Sequence, residues 1–137
     1  MADLTKRYET SARAIESLRI ALEKIEGSQC CESDEEYRTF RDSEIKRFEI
    51  SLDTLWKYLK HYLEKKTGVV QNSPKSVFRE CLKAGIVDEQ EVTLALKMVD
   101  ARNMTSHIYK EEIAEEISTH IPAYYELMKK FIDRAVI

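Results

Sequence analysis

The chain has 137 residues, 43% of them hydrophobic and 34% charged, with a formal net charge of −3 and only three glycines and two prolines. That length suits one domain burying roughly 68% of its unfolded surface, residues 1–137 as a single unit, and is too short for two ordinary ones. So few turn residues leave no room for a β-sandwich, and an acidic net charge rules out attraction of nucleic acid by the overall field, so any such binding has to be local.

No apolar run approaches the ~18 residues of a membrane span, and the start, Met-Ala-Asp-Leu-Thr-Lys-Arg, lacks the hydrophobic region of a signal peptide. A cytoplasmic protein with no membrane association is expected. The three cysteines, Cys30 and Cys31 adjacent and Cys81 distant, form no C-x-x-C pair and read as free thiols.

In chain order, Leu4, Tyr8, Ser11, Ile15, Leu18, Leu22 and Ile25 alternate spacings of four and three, the stripe of an amphipathic first helix that Gly27 ends. The polar, acidic stretch from Ser28 to about Tyr37 reads as a link. A long second helix is expected from near Phe40, with Ile45, Phe48, Leu52, Leu55, Leu59 and Tyr62 on its stripe, widened by Trp56 and Leu63, and a stop at Gly68. Ser73-Pro74 opens a short helix carrying Val77, Phe78, Cys81 and Leu82, closed at Gly85. Asp88 caps a fourth helix with Val92, Ala95, Leu96 and Val99 inside, and a last helix follows with Ile113, Ile117, Ile121, Tyr124, Met128 and Phe131, kinked or broken by Pro122 near Thr119. The fold expected is all-α, an antiparallel four-helix bundle with one additional short helix.

Between the last two helices runs Asp100-Ala-Arg-Asn-Met-Thr-Ser-His-Ile-Tyr109, which holds one of only three histidines. On an unbroken helix Arg102 and His107 would point ~140° apart, but Thr105-Ser106 favours a cap or turn, so the fourth helix should end near Met104 and the chain bend before Glu111. Such a bend turns both side chains to one place, either within the chain or across a twofold axis. A histidine with an ordinary pKa near ~6.5 can take the proton of a ribose 2′-hydroxyl, and an arginine fork can hold the phosphate, so the pair suits metal-independent RNA cleavage with no cofactor. His61 and His120 have no matching ligand spacing, and no zinc site is expected.

The same residues also fit a purely structural role, with Arg102 at a helix C-terminus, His107 on free carbonyls and Tyr109 packed as a staple. Asn103 and Ser106 can hydrogen-bond a phosphate, orient His107, or cap the helix end. Arg47, Lys57 and Lys60 either line a cleft or are solvated, and Trp56, Tyr124 and Tyr125 read as core or dimer contacts, with base stacking as the remoter alternative.

The stretches "IKRFEISLDTLWKYLKHYL", "SPKSVFRECLKAGIVDE" and "ARNMTSHIYKEEIAEEI", in this order and spacing, resemble the HEPN superfamily, in particular the nucleotidyltransferase substrate-binding proteins paired with minimal nucleotidyltransferases. The family motif of arginine, four residues, histidine, one residue and tyrosine falls on Arg102, His107 and Tyr109. The resemblance implies a homodimeric bundle whose two motifs face a shared cleft, and the toxin half of a prokaryotic type VII toxin–antitoxin pair acting as a metal-independent endoribonuclease on RNA. It also implies a minimal nucleotidyltransferase antitoxin that uses ATP and Mg²⁺ to add AMP units to Tyr109. The family pattern places an acidic residue directly before the arginine and Asp or Asn after the tyrosine; here these are Ala101 and Lys110, with Asp100 as a stand-in for the first. These departures keep a second expectation open, a non-catalytic dimeric adaptor that docks a nucleotidyltransferase and presents Tyr109 or a bound nucleotide to it.

Overall fold

In the computed structural model residues 2–26 and 31–137 are described. They form α1 (Ala2–Glu26), α2 (Asp34–Thr67), α3 (Pro74–Lys83), α4 (Glu89–Asn103), a 3-10 turn at Thr105–His107, and α5 (Glu111–Arg134). There is no strand among the described residues, and the expected all-α architecture of four main helices and one short one holds.

Cross-contacts fix the directions. Tyr8 meets Tyr58, the Ser51 hydroxyl donates to the Ala14 carbonyl, and Arg47 donates to the Ser17 carbonyl, so α1 and α2 run antiparallel. Tyr37 bonds Glu115, Phe48 stacks on Tyr124 and the Tyr58 hydroxyl donates to the Ala135 carbonyl, so α5 runs parallel to α2. The α4 helix antiparallels α5, since Arg134 near the end of α5 pairs with Glu91 near the start of α4. Consecutive main helices thus alternate in direction around one core, to which all five helices contribute.

The helix ends follow local chemistry. Ser73 and Ser76 form a capping box with Pro74 at the first position, and Asp88 and Glu91 form another at the start of α4. Gly68 takes φ 77° and donates its N–H to the Glu64 carbonyl, a left-handed stop that a side chain would strain. Two expectations need correction. The α2 helix starts at Asp34, not near Phe40, because Ser33 caps it and Asp34, Glu35 and Glu36 sit in the first turn, where acidic groups meet the positive end of the helix dipole. Of the kink or break expected near Thr119, the break does not occur: α5 continues through Pro122 to Arg134; proline removes one N–H, while Ile117, Ile121 and Tyr124 stay buried on both sides of it.

Cys81 is a free thiol, fully buried and pushed up to about 12 by that burial, as expected of an inert core cysteine. Cys31 is disulfide-bonded, which corrects the reading of it as a free thiol. The readings of Gly27 and Cys30 lie outside the described residues.

Candidate active site

As the sequence indicates, α4 ends at Asn103 and the chain bends before Glu111. The Met104 N–H reaches the carbonyls of Asp100 and Ala101, the His107 N–H that of Met104, and the Lys110 N–H that of His107. This string of short-range bonds makes a compact connector. Lys110 stands at the N-cap of α5 with no side-chain bond, the consequence expected of a lysine there.

Arg102, 30% exposed at its side chain, points across to α2. Its Nε and Nη2 donate to the two carboxylate oxygens of Asp53 at 3.0 and 2.9 Å, and Nη1 donates to the Thr105 hydroxyl at 3.1 Å and lies 3.3 Å from Glu49. The hydrogen bonds to Asp53, then the charges of Asp53 and Glu49, raise its pKa against the opposing effect of burial. Thr105, buried, donates to the Arg102 carbonyl at 2.7 Å, so one hydroxyl caps α4 and braces the guanidinium. Neither Asp53, Glu49 nor Thr105 was among the expected site residues.

His107 and Tyr109 are both exposed, Tyr109 at 75%, and their rings meet edge-on with centroids 6.0 Å apart. Neither side chain is hydrogen-bonded to the described residues, so both are presented to whatever approaches the turn. Asn103 and Ser106 are exposed as well, and their side chains bond nothing in the described chain; the capping role open to them belongs to Thr105. Asp100 does not pair with Arg102. It meets Lys75 of α3 at 2.7 Å, because residues two apart on a helix point ~200° from each other.

The far side of the turn is anchored at the start of α5. Arg41 of α2, 3% exposed, bonds Glu111 and Glu115, and Tyr37 donates to Glu115 at 2.9 Å. Burial opposes the charge of Arg41, but its bonds to Glu111, Glu115 and Asp42 leave its pKa raised. Beside it Glu44, 1% exposed, accepts from the Ser118 hydroxyl at 2.8 Å, and burial pushes this carboxyl up to about 7. Clamped by Arg102 on one side and by Arg41 on the other, the connector has two fixed ends.

A groove of about 570 Å³ lies between α4 and α5, with Leu94, Met104, Ile113, Ile117, His120 and Tyr124 among its lining. Met104, 42% exposed, sits at the lip nearest the turn. Arg47 is spent on the Ser17 carbonyl, Lys57 is exposed, and Tyr124 is core, stacked on Phe48. Among the described residues no three His, Cys, Asp or Glu side chains are grouped to hold a metal ion, and no helix is long and apolar enough to cross a membrane.

A sequence-family profile described as "Nucleotidyltransferase substrate binding protein like" matches residues 6–136. No curated protein sequence matches the chain. Among solved structures, a Thermus thermophilus protein is 35% identical, with 90% of this chain and 99% of that one aligned at a TM-score of 0.76. A tri-AMPylated Shewanella oneidensis HEPN toxin, solved in complex with its MNT antitoxin, is 19% identical over 96% of this chain and 94% of that one, at a TM-score of 0.68. A toxin–antitoxin chain solved with AMP-PNP is 16% identical over 97% of each chain, at a TM-score of 0.65. At these identities the last two show a shared fold, that of the Shewanella HEPN toxin in the first case.

Proposed function

The chain belongs to the nucleotidyltransferase substrate binding protein like family, and from that premise we propose that it is the toxin of a toxin–antitoxin pair, a metal-independent endoribonuclease neutralised by AMP transfer to Tyr109. The observation that carries this reading is the presentation of His107 and Tyr109, exposed and ring to ring, on a connector pinned at both ends. A surface histidine and tyrosine with purely structural roles would not need such fixed placement.

In the proposed reaction the His107 imidazole takes the proton of a ribose 2′-hydroxyl. The 2′-oxygen attacks the adjacent phosphorus, the bond to the 5′-oxygen breaks, and that oxygen takes a proton from the His107 imidazolium of a second copy of the chain, leaving a 2′,3′-cyclic phosphate. Arg102, once it leaves Asp53, holds the phosphate oxygens on which charge builds. One histidine cannot stand on both sides of the phosphorus at once, which supports a homodimer in which two motifs share a cleft. The groove beside Met104, lined by Leu94, Ile113 and Ile117 together with Lys97, Asp100 and Glu116 and adjoining the motif, is the face that a second copy of the chain would cover. As a single helical domain, residues 1–137 then supply half of a composite site.

The partner is a minimal nucleotidyltransferase using ATP and Mg²⁺, acting with this protein in the cytoplasm. The Tyr109 phenol oxygen attacks the α-phosphorus of ATP, pyrophosphate leaves and the phenolic proton is lost. The product carries a phosphate beside His107, where the substrate phosphate would lie. That the Shewanella relative is a tri-AMPylated toxin held by an antitoxin supports this assignment.

A second reading, the non-catalytic adaptor, is favoured by one observation: Arg102 is already occupied by Asp53 and Glu49. The test is product chemistry. RNA treated with the unmodified dimer should end in 2′,3′-cyclic phosphate, and His107→Ala should abolish these ends with helix content unchanged. Intact RNA with wild type would favour the adaptor.

A further inference from the structure

A guanidinium meant for a phosphate is here turned onto two carboxylates. Asp53 takes Nε and Nη2 in a two-pronged bond, and Glu49 stands 3.3 Å from Nη1, so the cluster has a formal charge of −1. An isolated phosphate meets this negative field and has to displace Asp53 from a charge-assisted pair of hydrogen bonds. The surroundings on α2 are not uniform, however. Lys46 lies three residues before Glu49 and Lys57 four residues after Asp53, which puts all four on one stripe of the helix. Both lysines are exposed and form no ion pair with the described residues. A row of cation, carboxylate, carboxylate, cation extends over about 16 Å by the helical rise.

We propose that Asp53 is a specificity residue: it withholds Arg102 from inorganic phosphate and mononucleotides, and yields it only to a phosphodiester chain whose neighbouring phosphates are held by Lys46 and Lys57. The inference rests on the reading of Arg102 as the phosphate-holding group. It explains how a single-site arginine avoids saturation by the small phosphates that outnumber any RNA in a cell. Multivalent engagement supplies the local concentration that a lone phosphate lacks.

The test follows the Nε–H resonance of Arg102 in the full-length protein, assigned by its loss in Arg102→Lys, during titration with inorganic phosphate and with a 2′-O-methyl RNA hexamer that cannot be cleaved. Asp53→Asn keeps the shape but presents an amide that cannot accept both bonds, and it removes one negative charge. Phosphate should then bind about tenfold more tightly, and the hexamer only about two- to threefold. Glu49→Gln should give a smaller gain in the same direction. Lys46→Ala/Lys57→Ala should weaken the hexamer about tenfold and leave phosphate unchanged. Equal phosphate affinity in wild type and Asp53→Asn overturns the proposal, as does a hexamer that ignores the lysines. Cleavage of unmodified RNA, measured alongside, separates the two claims. Retained cleavage without the phosphate gain removes the specificity role alone, whereas the gain without cleavage in any variant removes the nuclease and leaves the specificity role standing.

Discussion

Arg102 at the end of α4 and Asp53 in the middle of α2 are joined by two hydrogen bonds, Nε to Oδ1 at 3.0 Å and Nη2 to Oδ2 at 2.9 Å. Fork-to-fork pairing of this kind fixes a side chain's direction as well as its charge. Because both partners are partly exposed, at 30% and 40%, the pair is worth modest energy. Asp53→Ala should lower stability by about 1 kcal/mol in urea unfolding. A loss several times larger would mean that Arg102 is buried far more deeply than its exposure indicates.

Thr105 joins the same arrangement from the other side, through its bonds to the Arg102 carbonyl and guanidinium. Thr105→Val keeps the shape and loses both, whereas Thr105→Ser keeps both. RNA cleavage should fall about tenfold in the first and change little in the second, in line with a displaced phosphate-holding group. Equal activity of the two variants would remove Thr105 from the site.

Tyr109 offers an exposed phenol at 75% exposure. With the partner nucleotidyltransferase, Mg²⁺ and labelled ATP, Tyr109→Phe should take up no label, while its RNA cleavage stays at the wild-type level and escapes neutralisation. Label persisting at another residue of Tyr109→Phe would contradict the assignment.

Glu44 gives the protein a pH dependence of definite sign. Burial raises its folded pKa from 4.5 to about 7, so between these values the folded state binds more proton than the unfolded state. Stability therefore declines as pH rises through that window and levels off above about 7. Glu44→Gln, which keeps the bond from Ser118, should flatten the decline and be the more stable form at pH ~8, by a few kcal/mol at most. Thermal melts of the two proteins across the window check this; parallel curves would show that Glu44 stays ionised when folded.

Much of this architecture is legible in the residues themselves. Cap pairs such as Ser73-Pro74 and Asp88-Glu91 are local chemistry, and so is the bend that Thr105 imposes on the motif. What could not be read was long-range or two-sided. Asp53 and Arg102 are 49 residues apart, and nothing in "EISLD" announces which cation will face it. Tyr58 and Met98, both fully buried, fall off the single stripes expected of α2 and α4, because Tyr58 also meets Tyr8 of α1 and the end of α5, and a helix packed on more than one side has no single inner face. The acidic run at Asp34 looked like a link because first-turn carboxylates and solvated loops share one composition.

The RNA-cleaving role of the motif is tested by incubating a mixed RNA substrate, in excess EDTA, with protein purified without its partner and shown by mass to carry unmodified Tyr109, beside His107→Ala and Arg102→Ala. Cleavage by the wild type alone, with all three proteins folded and equally dimeric, is the expected result. Intact RNA in every lane, or cleavage that survives His107→Ala, would contradict it.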